Sequence, residues 1–419
     1  MTKSNCSTEY LEHKNVRVAI AGATGYTGAE LVKLITGHPN AELVAVTSRS
    51  YHGESFEDIF PAFRDIVDIR CEEMNPEALF GKIDCIFLAL PHKISMQYAP
   101  VFLANNIKVI DLSADFRFKN LSTYERTYQK HSSPELLDQA VYGLSEIYKD
   151  KIAGTDLTKS ARLIGNPGCY PTSFLLPVIP LIREGVIKKE GIISDSKSGV
   201  SGAGRSVSLT SHYCEVTESF KPYKIGAHRH VPEMEEILSA HAALSADTDL
   251  SVNAGLCADA NFYANTALLA DSAHAGQKIS ITFVPHLLPM NRGMLTTIYA
   301  ELSEDIIEKI NNNEDSSSVG HGTNKDAVYE HILNIFKSYY ESSYFVRILP
   351  KGKFPDTAHV RGTNFCDIGF WVDDKSSRVI IVSAIDNILK GAAGQAVQNM
   401  NIMFGMDEKT GLQLIPGAI

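Results

Sequence analysis

One thiol and a pair of imidazoles are the residues best placed in this sequence for covalent chemistry. Cys169 stands in Gly165-Asn-Pro-Gly-Cys-Tyr-Pro-Thr172, between an apolar run and a tight turn. Gly168 permits a bend beside the sulfur, and Pro171 suits the first turn of a helix. A thiol at a helix start faces unpaired N–H groups and the positive dipole end, and both lower its pKa toward thiolate. Pro177 and Pro180 limit that helix to one or two turns. The ordinary alternative is a buried free cysteine with no chemical role. A thiolate also needs a base, and His228-Arg229-His230 offers two. In an extended segment both histidines point one way and Arg229 the other. The spacing would also suit a metal pair, but no thiol or carboxylate pattern completes such a site, and none is expected. A cysteine with a distant histidine also fits a papain-like hydrolase.

The stretches that would hold these groups speak for hydride transfer. Val16 to Ala21 is a short apolar run of the parallel-strand type, followed by Gly22-Ala-Thr-Gly-Tyr-Thr-Gly28 and a helical pattern from Ala29 to Ile35. Strand, glycine turn and helix let backbone N–H groups approach a pyrophosphate. Gly22, Thr24, Gly25, Tyr26, Thr27 and Gly28 are therefore the expected cofactor cradle. A second strand spans Ala41 to Thr47. Where an NAD enzyme usually carries a ribose-binding acid, this chain has Ser48 and Arg49, which suit a 2′-phosphate and so NADP(H). A hydrolase would leave both features without a purpose.

Further units follow in order. Ile83 to Leu90 ends in Pro91-His92, helical spacing resumes from Ile94, and Ile107 to Asp111 leads to Arg117, placed to bind an anion. These units predict a doubly wound parallel sheet with its ligand crevice at the strand ends. Beyond Cys169 the pattern turns to a mixed sheet: Ile192 to Lys197, Ile279 to Pro285, Gly293 to Leu302, and a hairpin of Asp367 to Val372 with Val379 to Ala384. The small-residue loop from Ser198 to Arg205 can bring N–H groups to an anion. Residues 303–326 read as a polar surface insertion. A helix from Asp386-Asn387, with Leu389, Ala393, Val397 and Met400 on one face, returns to the first domain. The expected division is residues 16–168 with 385–419 against residues 169–384.

Composition narrows the setting. The 419 residues carry a net charge of −10, with 44% hydrophobic and 21% charged residues. That length suits two domains. The charge argues against nucleic acid, and no apolar run nears the roughly 20 residues of a membrane span. The N-terminus lacks an apolar signal core, and seven cysteines without C-x-x-C speak for reduced thiols and a cytoplasmic protein.

Six stretches together resemble the N-acetyl-gamma-glutamyl-phosphate reductases: Gly22 to Leu31, Asp111 to Arg117, Gly165 to Thr172, Ser198 to Arg205, Ala227 to His230 and Ala384 to Gln398. The resemblance runs from about residue 16 to 412. Only the first 15 residues and the polar insertion depart from it, which leaves oligomer contacts open. It extends more weakly to aspartate-semialdehyde dehydrogenases. It implies a Rossmann-type NADP domain joined to an α+β catalytic and dimerisation domain, in a homodimer or homotetramer. It also implies reduction of an acyl phosphate by NADPH through a thioester on Cys169, with His228 as acid–base, as a step of arginine biosynthesis. By analogy Arg117 is a phosphate anchor, Arg205, His230 and Ser198 lie on the substrate side, and Pro91 and Asn387 face the nicotinamide. An aminoadipyl- or aspartyl-phosphate reductase is the near alternative. A non-catalytic NADP-binding sensor is the distant one.

The Ser48-Arg49 pair predicts a strong preference for NADPH over NADH. Losing one charge-assisted hydrogen bond costs about 1.5–3 kcal/mol, so Arg49→Ala should narrow the preference roughly ten- to a hundredfold. Initial-rate comparison of the two cofactors checks this, and equal use of both by the unmodified protein contradicts it.

Overall fold

Strand β1 (Val16–Ala21) reads apolar without alternation because it lies in the middle of a sheet covered on both faces. The computed structural model describes residues 15–155, 158–246, 278–312 and 325–417. Around β1 stand β2 (Ala41–Thr47), β3 (Cys71–Glu72), β4 (Cys85–Leu88), β5 (Lys108–Asp111), β6 (Val141–Tyr142) and β7 (Leu163–Gly165). Their order is β3-β2-β1-β4-β5-β7-β6, and every pairing is parallel. The order reverses around β1, so the carboxyl ends of β1, β4, β5 and β7 border one crevice. The doubly wound sheet expected from the sequence is present.

A second sheet holds β8 (Ile192–Gly199), β9 (Lys221–Pro222), β10 (Ile281–Leu288), β11 (Met294–Glu301), β12 (Val346–Ile348), β13 (Cys366–Asp373) and β14 (Arg378–Ile385). It runs β12-β13-β14-β11-β8-β10-β9 and is mixed, with β8 parallel to β10 and β11 antiparallel to both β8 and β14. Along β11 buried and half-buried residues alternate, which is the period-two pattern of a sheet with one covered face.

The covering element is the helix Cys169–Arg183, buried at every position from Tyr170 to Ile182. Here the expectation of one or two turns is overturned, since the helix runs 15 residues through Pro177 and Pro180. A proline lacks the N–H that would bond the carbonyl four residues back, which leaves the carbonyls of Ser173 and Leu176 without their helical donors. Both find hydroxyls instead. Ser383 Oγ on β14 donates to the Ser173 carbonyl at 2.6 Å, and Tyr340 Oη donates to the Leu176 carbonyl. Tertiary packing thus replaces two backbone bonds.

Two further expectations are corrected. His228-Arg229-His230 is not extended: His230 is the first residue of the helix His230–Ala246. The segment expected to be a polar insertion at 303–326 begins with a helix, Glu304–Asn312, that buries Ile306 in the core. Residues 313–324 lie outside the described residues, and 325–326 open the helix Lys325–Tyr340. The returning helix is as expected. After one π turn at Leu389–Ala393 it runs Gly394–Met403, and Leu389, Ala393, Val397 and Met400 join Val18, Ile20 and Leu31 in one core.

The two borrowed hydroxyls make a stability prediction. Tyr340→Phe and Ser383→Ala each strand a buried carbonyl, so each should cost about 1–3 kcal/mol. Tyr339→Phe, whose hydroxyl meets Glu184 at an exposed site, should stay within about 0.5 kcal/mol. Urea unfolding of the three variants checks the ranking.

Candidate active site

Cys169 is placed by the end of β7. The chain leaves Gly165, turns through Asn166 and Pro167, and enters the helix at Cys169 with Gly168 as the preceding cap residue. No side chain caps this start. Gly168 is a glycine because of crowding: a Cβ there would lie 2.6 Å from His230 Nε2 and 3.1 Å from Arg117 Nη1. One carboxylate fixes the turn. Glu233 Oε1 accepts from the Gly168 N–H at 3.0 Å and from Tyr142 Oη at 2.8 Å, while its Oε2 faces Arg117 Nη1 at 3.1 Å. Arg117 also donates from Nε to the Asn166 carbonyl at 2.7 Å and from Nη2 to the Leu112 carbonyl at 2.9 Å.

The thiol itself departs from expectation. Burial pushes the Cys169 pKa up to about 11, outweighing the Tyr170 backbone N–H and the Arg117 charge that pull it down. Cys169 therefore rests as a thiol. The histidines are shifted the other way. Burial, with the neighbouring His228 and Arg117, holds His230 well below the ordinary imidazole value, and one of its buried ring nitrogens has no partner. Burial brings His228 down to about 4. His228 Nδ1 accepts from the His230 backbone N–H at 3.1 Å, an arrangement that needs the neutral ring. Its ring meets Tyr170, Tyr223, Phe283 and His230 edge to face, with centroids 4.9–5.6 Å away.

A cleft of about 1290 Å³ gathers most of the expected site residues. Gly22, Thr24, Gly25, Tyr26, Thr27, Gly28, Ser48, Arg49, Pro91, Arg117, Cys169, Arg205, His230 and Asn387 all line it. His228 and Ser198 are not part of that lining. Ser198 is buried and turns its hydroxyl to the Gly199 carbonyl at 3.1 Å. At the cofactor end the turn is shaped for close backbone approach, since a Cβ on Gly28 would lie 2.2 Å from the Gly22 carbonyl oxygen. The helix that follows, Tyr26–Thr36, starts with no side-chain cap and no acid in its first turn. Both features suit an anion at that helix start, and the residues present fit a dinucleotide.

Comparison with known proteins agrees with this arrangement. Residues 17–155 match the family described as semialdehyde dehydrogenase, NAD binding domain, and residues 169–255, 269–314 and 316–387 match semialdehyde dehydrogenase, dimerisation domain. An N-acetyl-gamma-glutamyl-phosphate reductase of Desulforapulum autotrophicum is 55% identical over 404 residues, spanning 96% of this chain and 100% of that one. The chain belongs to the N-acetyl-gamma-glutamyl-phosphate reductase family. Relatives of the same name from Symbiobacterium thermophilum and Geobacter metallireducens are 43% and 44% identical, each over at least 95% of this chain and 97% of the relative. The fold is shared with an aspartate semialdehyde dehydrogenase crystallised with NADP from Candida albicans, at TM-score 0.59 and 15% identity over 95% of this chain and 99% of that one.

For a member of this reductase family, sequence reasoning passed over several groups. Asn166, Ser201 and His92 line the cleft, and Asn387 is held by donating to Ser201 Oγ at 2.9 Å and accepting from the Gly293 N–H at 2.8 Å. Glu233 and Tyr142 hold the turn, yet 91 residues separate them and no periodicity links them. The signal for Asn166 was its place inside the Gly165 to Thr172 stretch, while Glu233 lies three residues beyond the His228-Arg229-His230 stretch. Among the described residues, no helix is long and apolar enough to cross a membrane.

The buried histidines set a pH prediction. His92 (about 3), His228 (about 4), His230 and His241 all have folded values below the unfolded 6.5, so their contribution is present above pH 6.5 and lost as pH falls. Asp111 and Glu236, raised to about 7 by burial, act with the opposite sign and lose their contribution as pH rises toward 7. With His38 also held below 6.5 by burial, five such histidines outnumber two acids, so stability should peak near neutrality and fall from pH 6.5 to 5. Urea unfolding across that range checks the slope. His228→Phe, set among aromatic rings, should reduce it by about one proton equivalent.

Proposed function

We propose that this chain reduces N-acetyl-L-glutamyl 5-phosphate to N-acetyl-L-glutamate 5-semialdehyde with release of phosphate, using NADPH, as a step of arginine biosynthesis. The observation that carries this reading is the shared cleft. The thiol at the head of its helix, the glycine turn and a half-buried imidazole held below its ordinary pKa open into one space. The names of the relatives supply the acyl group.

In this reading Cys169 first loses its proton, and His230, which lines the same cleft, accepts it. Its imidazole lies against Gly168, whereas His228 is enclosed by aromatic rings and absent from the cleft lining. We therefore assign to His230 the acid–base role that the family resemblance gave to His228, and to His228 the support of the His230 ring. The Cys169 thiolate attacks the acyl phosphate carbon, the carbon–oxygen bond to phosphate breaks, and a thioester remains on the sulfur. When bound, NADPH supplies the hydride that this thioester carbon accepts. Protonated His230 donates to the oxygen of the thiohemiacetal and takes the proton back as the carbon–sulfur bond breaks. Arg117 already donates from all three of its nitrogens, and its two remaining N–H groups are what it has for a phosphate. The matched dimerisation domain supports a homodimer or homotetramer, and we place the enzyme in the cytoplasm.

Phosphate-dependent reduction of NADP, assayed with N-acetyl-glutamate semialdehyde beside its aspartate and aminoadipate analogues, tests the reaction. Cys169→Ser should abolish turnover while NADPH binding survives. His230→Asn should lower kcat by about 10²–10⁴, and His228→Asn by much less. A larger kcat loss in His228→Asn returns the role to His228.

A further inference from the structure

Arg205 belongs to the half of the molecule that carries the thiol, at the end of the loop leaving β8, and family analogy put it on the substrate side. Its contacts lie elsewhere. Arg205 Nη1 donates to the carbonyl of Thr24 in the glycine turn at 2.9 Å, and Thr24 Oγ1 lies 2.8 Å from Ser48 Oγ. The guanidinium is stacked over the rings of Phe60 and Tyr51, at 4.8 and 5.4 Å, both from the first half of the chain. These two rings restrict where the fork can move, and the Thr24 bond occupies one of its five donors. Arg49 lines the same cleft. Among the described residues, neither guanidinium is paired with a carboxylate. Two guanidiniums and a buried serine hydroxyl lining one cleft form a receptor for a dianion.

We propose that Arg205 is a cofactor-specificity residue, closing with Arg49 on the 2′-phosphate of NADPH from the opposite half of the molecule. This rests on the NADPH reading above and adds the group that recognises the phosphate. Planarity is what makes arginine the right cation: a stacked fork can hold two phosphate oxygens at once, whereas a lysine offers a point charge. NADH lacks the phosphate and gains nothing from the two guanidiniums, so discrimination arises from their attraction to the 2′-phosphate.

The test is equilibrium binding, which needs no turnover. NADPH, NADH and adenosine 2′,5′-bisphosphate are titrated calorimetrically into the unmodified protein, Arg205→Ala and Arg205→Lys, with circular dichroism confirming the fold. In Arg205→Ala the Kd for NADPH and the bisphosphate should rise roughly ten- to a hundredfold, while that for NADH changes less than about threefold. Arg205→Lys should recover part of the loss. Equal weakening of NADPH and NADH would make Arg205 a mere loop anchor and overturn the proposal. Unchanged NADPH binding with a raised KM for the acyl phosphate would return it to the substrate side. Failure of the unmodified protein to bind NADPH at all would remove the cofactor reading itself.

Discussion

Arg117 and Glu233 meet at 3.1 Å with both side chains shut off from water, and three elements converge on that contact. Arg117 follows β5 of the parallel sheet, Glu233 stands in the first turn of the histidine helix, and the turn before Cys169 is bonded to both. Such a pair adds little net stability over an apolar substitute, but removing one member leaves a buried charge and costs about 3–5 kcal/mol. Its value here is positional. The Gly168 N–H and the Asn166 carbonyl, on either side of the thiol's turn, are held by partners that also hold each other.

Burial acts in the same way on the Cys169 thiol and the His230 imidazole. Burial disfavours charge on either, so the sulfur keeps its proton and the imidazole stays without one. A solvated site would give a more acidic thiol but a less defined geometry. The helix start and Arg117 favour the thiolate, as the sequence suggested, yet they are the smaller influence beside burial.

What could be read from residues alone follows the range of the interactions. The parallel sheet, the glycine turn and the returning helix are written in local periodicity, and each was legible. The cysteine helix was misjudged at Pro177 and Pro180 because its missing bonds are replaced by Tyr340 and Ser383, far along the chain. The His228-Arg229-His230 stretch was read as extended although Pro232 and Glu233 stand in the first turn of the helix that begins at His230, which is where a helix start places a proline and an acid. Arg117 was expected to be free for an anion because its partner, 116 residues away, leaves no pattern. Arg205 was assigned by analogy to one side of the cleft when its bonds run to the other.

The helix Gly394–Met403 gives the molecule an order of completion. His38, beside the second strand, bonds Asn401 at 3.0 Å across 363 residues, and Gly391 backs so closely on Cys169 that a Cβ would lie 2.7 Å from the cysteine Cβ. A chain emerging from the ribosome makes β1, β2 and the thiol long before the segment that seals them. Until that segment arrives, the core face formed by Val18, Ile20 and Leu31 is open and the thiol lacks one wall. Partly synthesised chains thus expose an apolar core face and lack the Gly391 wall beside the thiol until this last segment has docked.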